Sequence, residues 1–437
     1  MAANRTRHAG VVAITLLSAA CLGLTACTSD GFVSGPDEVK TVGADLATSI
    51  DDAIANAMQL SGSHTAIVGV WSSSGDYVHA YGEGIEASSP IRAAQASQPV
   101  MCALLLDLVE QGEISLKREI SKDLPRQVGL DGITYGQLCD ATSGLADFKS
   151  TALSDIFANN PVRPWSDREL LAQSLAHSPL AEPGAEQHVS DTGSLLLARA
   201  LHQHTHTQVN ELLEERVFSA SEMHSSSFPR DLLTQTELPS NGMTGLTYAS
   251  SGGAPVCTVP GEEEGTTVAT EPTPVPKVSP SMLSGAGGTV TTVTDLKRFY
   301  ERYVSGGFGA NSAELITTLS APVAAPAEGE EAPAEGEEVA APVDGWTFGL
   351  EKQGPLYGMS GAITGTLTAA YHDPAGKFTV VVALNNSSAG AAFAKALAFQ
   401  LAAIAGAGVE WTAEDQGAVL AERAICQPPA EEAPAEG

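Results

Sequence analysis

Positive charge is what this chain most lacks. Lysine and arginine together number 22 against 52 aspartates and glutamates, a formal net charge of −30 over 437 residues. So few cations cannot neutralise phosphates over a contiguous face, which argues against nucleic acid as a partner. Electrostatic docking on anionic lipid is disfavoured on the same ground. Much of the acid sits in low-complexity segments, so the folded part is less extreme than the total. No pair of the six cysteines has C-x-x-C spacing, so no metal site and no cofactor is indicated. The apolar run Val11 to Leu24 is too short to span the ~30 Å hydrocarbon core as a helix.

That same run has a different use. Arg5 and Arg7 precede it, and Leu24-Thr25-Ala26-Cys27 follows, a stretch that resembles the lipobox of bacterial lipoproteins. The combination reads as a lipoprotein signal peptide over 1–26, cut before Cys27, whose thiol takes the lipid. The expected location is therefore the outer face of the bacterial cell membrane, reached by an N-terminal lipid anchor. Residues 27–40 are polar and contain Gly31, Gly35 and Pro36, and read as a tether. Cys102, Cys139, Cys257 and Cys426 remain after processing, and export permits disulfides. Four cysteines allow three pairings, and two unpaired core thiols at Cys102 and Cys139 are the competing reading.

The stretch Ile91 to Gly112 organises the rest. From Val100 its apolar residues cover most of a helix surface, so the helix should be buried nearly all round, with Gly112 closing it. Before it, Val42, Leu46, Ile50, Ile54 and Met58 mark one helix face, and Ala66 to Trp71 and Tyr77 to Tyr81 read as strands. A helix-rich middle follows, with Ser250 to Pro280 as a long loop and Thr294 or Asp295 starting a helix. Four strands between Trp346 and Leu384 and a helix from Ala391 to Ala405 end the core. The acidic repeat 321–343, like the end of the 411–437 tail, is too poor in large apolar side chains to fold. The order predicts an α+β fold over 41–410: one antiparallel sheet from both chain ends, flanked by helices, with a helical region inserted at about 113–284. His202, His204 and His206 alternate at a helix end and read as a polar turn rather than a metal site.

Five stretches, in this order, resemble the serine β-lactamase and D-alanyl-D-alanine carboxypeptidase family of the class C, penicillin-binding-like type. They are LVEQGEISL, ITYGQLCDATSGLADF, PGAEQHVSDTGSLLLARAL, GAGGTVTTVTDLKRF and YGMSGAITG. The resemblance implies the family's fold and puts Gln95 at its nucleophilic serine and Gln98 at its lysine. Val189 falls at its tyrosine and Asp191 at its asparagine, with Ser190 between them. Met359-Ser360-Gly361 replaces its His/Lys-Thr-Gly triplet, and Ala141 its supporting histidine. Glutamine, valine and methionine supply neither a nucleophile nor a base, so the resemblance implies a site that has lost acyl transfer. Ser97, about 200° around the helix from Gln95, is not a ready substitute.

The expected function is binding without turnover, of a peptidoglycan-like peptide in the degenerate cleft or of an envelope protein. Ser190, Asp191, Gln95, Gln98 and Ser360 would line that cleft. An active serine hydrolase with a displaced nucleophile is one alternative, and a purely structural, partner-binding lipoprotein is another.

Overall fold

The computed structural model describes residues 39–149, 151–230, 232–248, 257–260, 267–320 and 344–426. These belong to one unit within Val33–Gly437. The signal peptide, Cys27, most of the tether, the acidic repeat and the end of the tail lie outside the described residues.

Eight strands form one sheet: β1 (Val39–Lys40), β2 (Ala66–Ser72), β3 (Gly75–Tyr81), β4 (Gly345–Trp346), β5 (Glu351–Gln353), β6 (Leu356–Ile363), β7 (Thr366–Asp373) and β8 (Phe378–Leu384). The order is β1-β3-β2-β8-β7-β6-β5-β4, antiparallel throughout. Both chain ends therefore build the sheet, as the pattern predicts. The helices that matter here are α1 (Ala44–Ser61), α2 (Gln98–Glu110), α3 (Tyr135–Cys139), α4 (Asp167–Leu175), α5 (Asp191–Thr205), α6 (Val293–Val304), α7 (Ala391–Ile404) and α8 (Ala413–Glu422).

The strands are apolar at nearly every position because the sheet is covered on both faces. Val68, Val70, Leu367, Tyr371, Val380 and Val382 pack on α1, α7 and α8, while Ile67, Ala370, Val381 and Ala383 face the core around α2. Alternation with period two sends neighbours to opposite cores. Helix α2 is buried at ten consecutive or near-consecutive positions from Gln98 to Leu108. Its end is a Schellman motif: Gly112 takes φ +72°, its N–H bonds to Val109, and the Glu113 N–H bonds to Leu108.

Several boundaries differ from the sequence reading. Val39 and Lys40, at the end of the expected tether, pair with β3. The segment read as a long loop carries short strands: Thr258–Pro260 pairs with Thr267–Ala269, and Thr273–Val275 pairs with Gly245–Thr247, which lies before the segment. The cap of α6 is Thr292 rather than Thr294 or Asp295, and its side chain accepts the N–H of Asp295, which is the first-turn acid that the sequence offers. The tail begins with a further helix, α8, started by a Thr412–Asp415 capping box and docked through fully buried Leu420. Cys102 is joined to Cys139 and Cys257 to Cys426, with Cα separations of 5.9 and 4.9 Å. Both lie in the range that a disulfide spans. The first bond ties α2 to α3, which carry the first two of the five family-like stretches. No helix among the described residues is long and apolar enough to cross a membrane.

Candidate functional site

The start of α2, the turn before α5 and the end of β6 meet at one point. A turn of 3₁₀ helix, Ala94–Ser97, leads into α2, with Ala94 at φ +47°. Gln95 and Gln98 are three residues apart and so share one side of this element. Both reach Asp191, the first residue of α5. The Gln95 Nε2 donates to Asp191 Oδ2 at 2.8 Å and the Gln98 Nε2 to Oδ1 at 2.6 Å. The other end of the Gln95 amide accepts the Ala362 N–H of β6 at 2.8 Å. One glutamine thus joins α2, α5 and the sheet.

Close approach here depends on Gly361. A Cβ at that position would lie 2.3 Å from the Gln95 backbone nitrogen and 2.6 Å from its Oε1. No side chain can be added without moving backbone. Met359, two residues earlier, is buried in the core around α2. Ser360 lies on the opposite face and hydrogen-bonds to Tyr371. Its hydroxyl is therefore not on the cleft, where the motif alone would put it, and strand alternation is the reason.

Val189 is half exposed and points its apolar side chain into solvent. Ser190 is a helix cap: its Oγ accepts the Thr192 N–H at 3.1 Å and donates to the Ala146 carbonyl at 3.3 Å. Ser97 is buried and spends its proton on the Ala94 carbonyl at 2.7 Å. Neither serine is presented to a base. Ala141 takes φ +62°, and its carbonyl accepts the His188 N–H at 2.7 Å, which fixes the Val189 turn. His188 itself turns to Glu186 at 3.0 Å.

Two charged residues of the site escape the sequence reading. Lys149 Nζ donates to the Ala362 carbonyl at 3.0 Å, and its charge acts on Asp191. Burial pushes the Asp191 carboxyl up, against the pull of Lys149 and the two glutamine amides. Asp147 is pushed up to about 7, first by burial of its carboxyl and then by the Asp191 charge. A signal for both exists, since Asp147-Phe148-Lys149 lies at the very end of the family-like stretch ITYGQLCDATSGLADF and just beyond it.

The hollow bounded by Gln98, Val189, Ser190, Ser194 and Trp346 has a volume of about 10 Å³. That is at the lower limit for a single water. The disulfide and the Trp346 indole, which donates to the Cys139 carbonyl at 3.0 Å, close its floor. The three alternating histidines sit at the end of α5, with His204 on Asp123 and the Glu113 carbonyl. Among the described residues no three metal-binding side chains converge.

With this geometry the comparisons with known proteins become informative. Residues 50–404 match the Beta-lactamase family model, and the chain belongs to that family. A D-stereospecific amidohydrolase from Streptomyces sp. has a similar structure, with 20% identity, 78% of this chain and 94% of the other covered, and a TM-score of 0.61. An octameric penicillin-binding protein homologue from Pyrococcus abyssi is similar at 17% identity, with 85% and 79% covered and a TM-score of 0.62. A penicillin binding protein from Bacillus halodurans gives 17% identity, 79% and 97% covered, and a TM-score of 0.58. At these identities the likeness is one of fold.

Proposed function

We propose that this is a lipid-anchored envelope member of the family that has given up acyl transfer and acts by binding. The observation that carries the reading is the clamp of Gln95 and Gln98 on Asp191. Acyl transfer needs a nucleophile with a base within hydrogen-bond reach. The groups at those positions are amides already engaged with a buried carboxylate. Lys149, whose charge acts on this carboxylate, is held on a backbone carbonyl. The small volume beside Gln98 favours an envelope protein over a peptidoglycan peptide as the partner, since a peptide needs a cleft to lie in.

The test is an incubation of the Cys27→Ser protein with excess penicillin, followed by intact mass, alongside turnover of a chromogenic cephalosporin. The expected results are an unchanged mass and no hydrolysis above buffer. A stoichiometric adduct on any serine overturns the reading and, through its peptide, names a displaced nucleophile. The same variant should leave the membrane fraction or remain an uncut precursor. A processed, unlipidated form that stays on the membrane refutes the anchor.

A further inference from the structure

Two adjoining hollows on the helical region share Arg168, Arg199 and Gln203. The larger, about 1200 Å³, lies between the Leu124–Val128 turn and helices α4 and α5. The smaller, about 430 Å³, continues it towards Arg230 and the start of α4. None of their lining residues belongs to the Gln95–Asp191 clamp.

The charge balance inside these hollows runs opposite to that of the chain. The two lining carboxylates are already matched. Asp123 is held by Arg118 at 2.6 Å and by His204 at 3.2 Å, and Asp167 is ion-paired with Arg230. That leaves Arg126, Arg168 and Arg199, for which no ion pair or hydrogen bond is formed among the described residues. Arg199 is half buried on α5, where burial disfavours its charge, the nearby Asp167 favours it, and Arg168 and Arg230 oppose it. In a protein with 22 basic and 52 acidic residues, Arg168 and Arg199 share a hollow whose two carboxylates are already bound to other cations, and Arg199 is desolvated there. An anion between them would offset the burial of the Arg199 charge.

We propose that this hollow binds a phosphate ester, with its phosphoryl group on Arg168, Arg199 and the Gln203 amide. A carboxylate offers two oxygens and is satisfied by one guanidinium fork. A phosphoryl group presents three peripheral oxygens and matches two forks and an amide. The organic part of the ester would lie on the apolar wall formed by Leu175, Ala172 and Val128, the last of which is 81% exposed. The ester could come from a soluble metabolite or a lipid headgroup, and the chemistry of recognition is the same.

The experiment uses the full chain carrying Cys27→Ser, so that no N-terminal lipid contributes. Phenyl phosphate is titrated calorimetrically at low salt, with benzoate as the carboxylate control. In a second arm the protein is sedimented with phosphatidylcholine vesicles that contain or lack phosphatidic acid. Saturable binding of phenyl phosphate alone assigns a soluble ester, and preferential sedimentation with phosphatidic acid assigns a headgroup. Either result should weaken at least about tenfold in the Arg168→Gln/Arg199→Gln variant, as expected for charged hydrogen bonds. Arg168→Gln alone removes a side chain with no partner among the described residues, so its loss of binding is not a loss of folding. Binding in neither arm, equal affinity for benzoate, or binding indifferent to both arginines overturns the proposal.

Discussion

Removing the carboxylate of Asp191 separates hydrogen bonding from charge at the clamp. In Asp191→Ala two buried amide donors, Gln95 Nε2 and Gln98 Nε2, lose their acceptor. Each orphaned donor costs about 1–3 kcal/mol. Part of this is offset, because a fully buried anion is removed as well. The net loss should be about 2–4 kcal/mol. For a chain of this length the unfolding entropy converts 1 kcal/mol into about 1–2 °C, so Tm should fall by about 2–8 °C. Asp191→Asn should behave differently. Gln95 cannot turn, since its Oε1 is held by the Ala362 N–H, so its Nε2 donates to the side-chain oxygen that the variant retains. The new amide then takes the place of the other carboxylate oxygen, and Gln98 must flip to accept from it. Among the described residues Gln98 has no second side-chain bond to prevent the flip, so the Asn variant should lie within about 1 kcal/mol of wild type. The pH dependence has a definite sign. Burial makes the folded state bind this proton more tightly than the unfolded chain does, so wild type loses stability as pH rises above the ordinary carboxylate range, until the buried group ionises. The Asn variant should gain on wild type over that rise. Thermal melts in a pH series rising from the ordinary carboxylate range decide the matter. An Ala variant that melts with wild type, or an Asn variant as unstable as Ala throughout the series, refutes the clamp.

Two further outcomes are expected. Asp147 is raised from the ordinary 3.8 to about 7, so its contribution to stability is lost as pH rises through that window and is constant above it. Asp147→Asn should therefore gain on wild type between those values and run parallel to it at higher pH, in denaturant titrations. Replacing both Cys102 and Cys139 by serine opens a loop with a sequence separation of 37. Chain entropy puts the loss at about 4 kcal/mol, and an unchanged denaturant midpoint would show that packing alone holds α3 on α2.

The layout of the sheet is legible in the sequence because long apolar strands and a helix buried all round leave few arrangements. Helix α2 and its glycine stop can be read residue by residue, since Gly112 has the backbone conformation that its position requires. The candidate site is legible as a set of positions, carried by motif order rather than by periodicity. Its geometry is not. Nothing in the spacing of Gln95, Gln98 and Asp191 says that two amides close on one carboxylate, because the three are brought together by folding across 96 residues. Ser360 defeats the motif because a motif gives a residue its position and the strand decides its face. Helix α8 is easily passed over because it lies next to an acidic stretch, although Thr412 and Asp415 form a cap that can be read in the sequence.

The end of β6 has a consequence for assembly. Its neighbour β5 pairs only with Leu356, Tyr357 and Gly358, so that the strand runs on past its partner towards Ile363. Backbone left unpaired in this way is a template for another strand. At Ala362 both of its backbone groups are occupied, the N–H by Gln95 and the carbonyl by Lys149. An amide and an ammonium together imitate the missing strand at that residue. An incoming segment, from a ligand or from a second copy, has to displace both side chains before it can form a ladder there. Gln95 thus also helps to blunt an edge through which chains could aggregate.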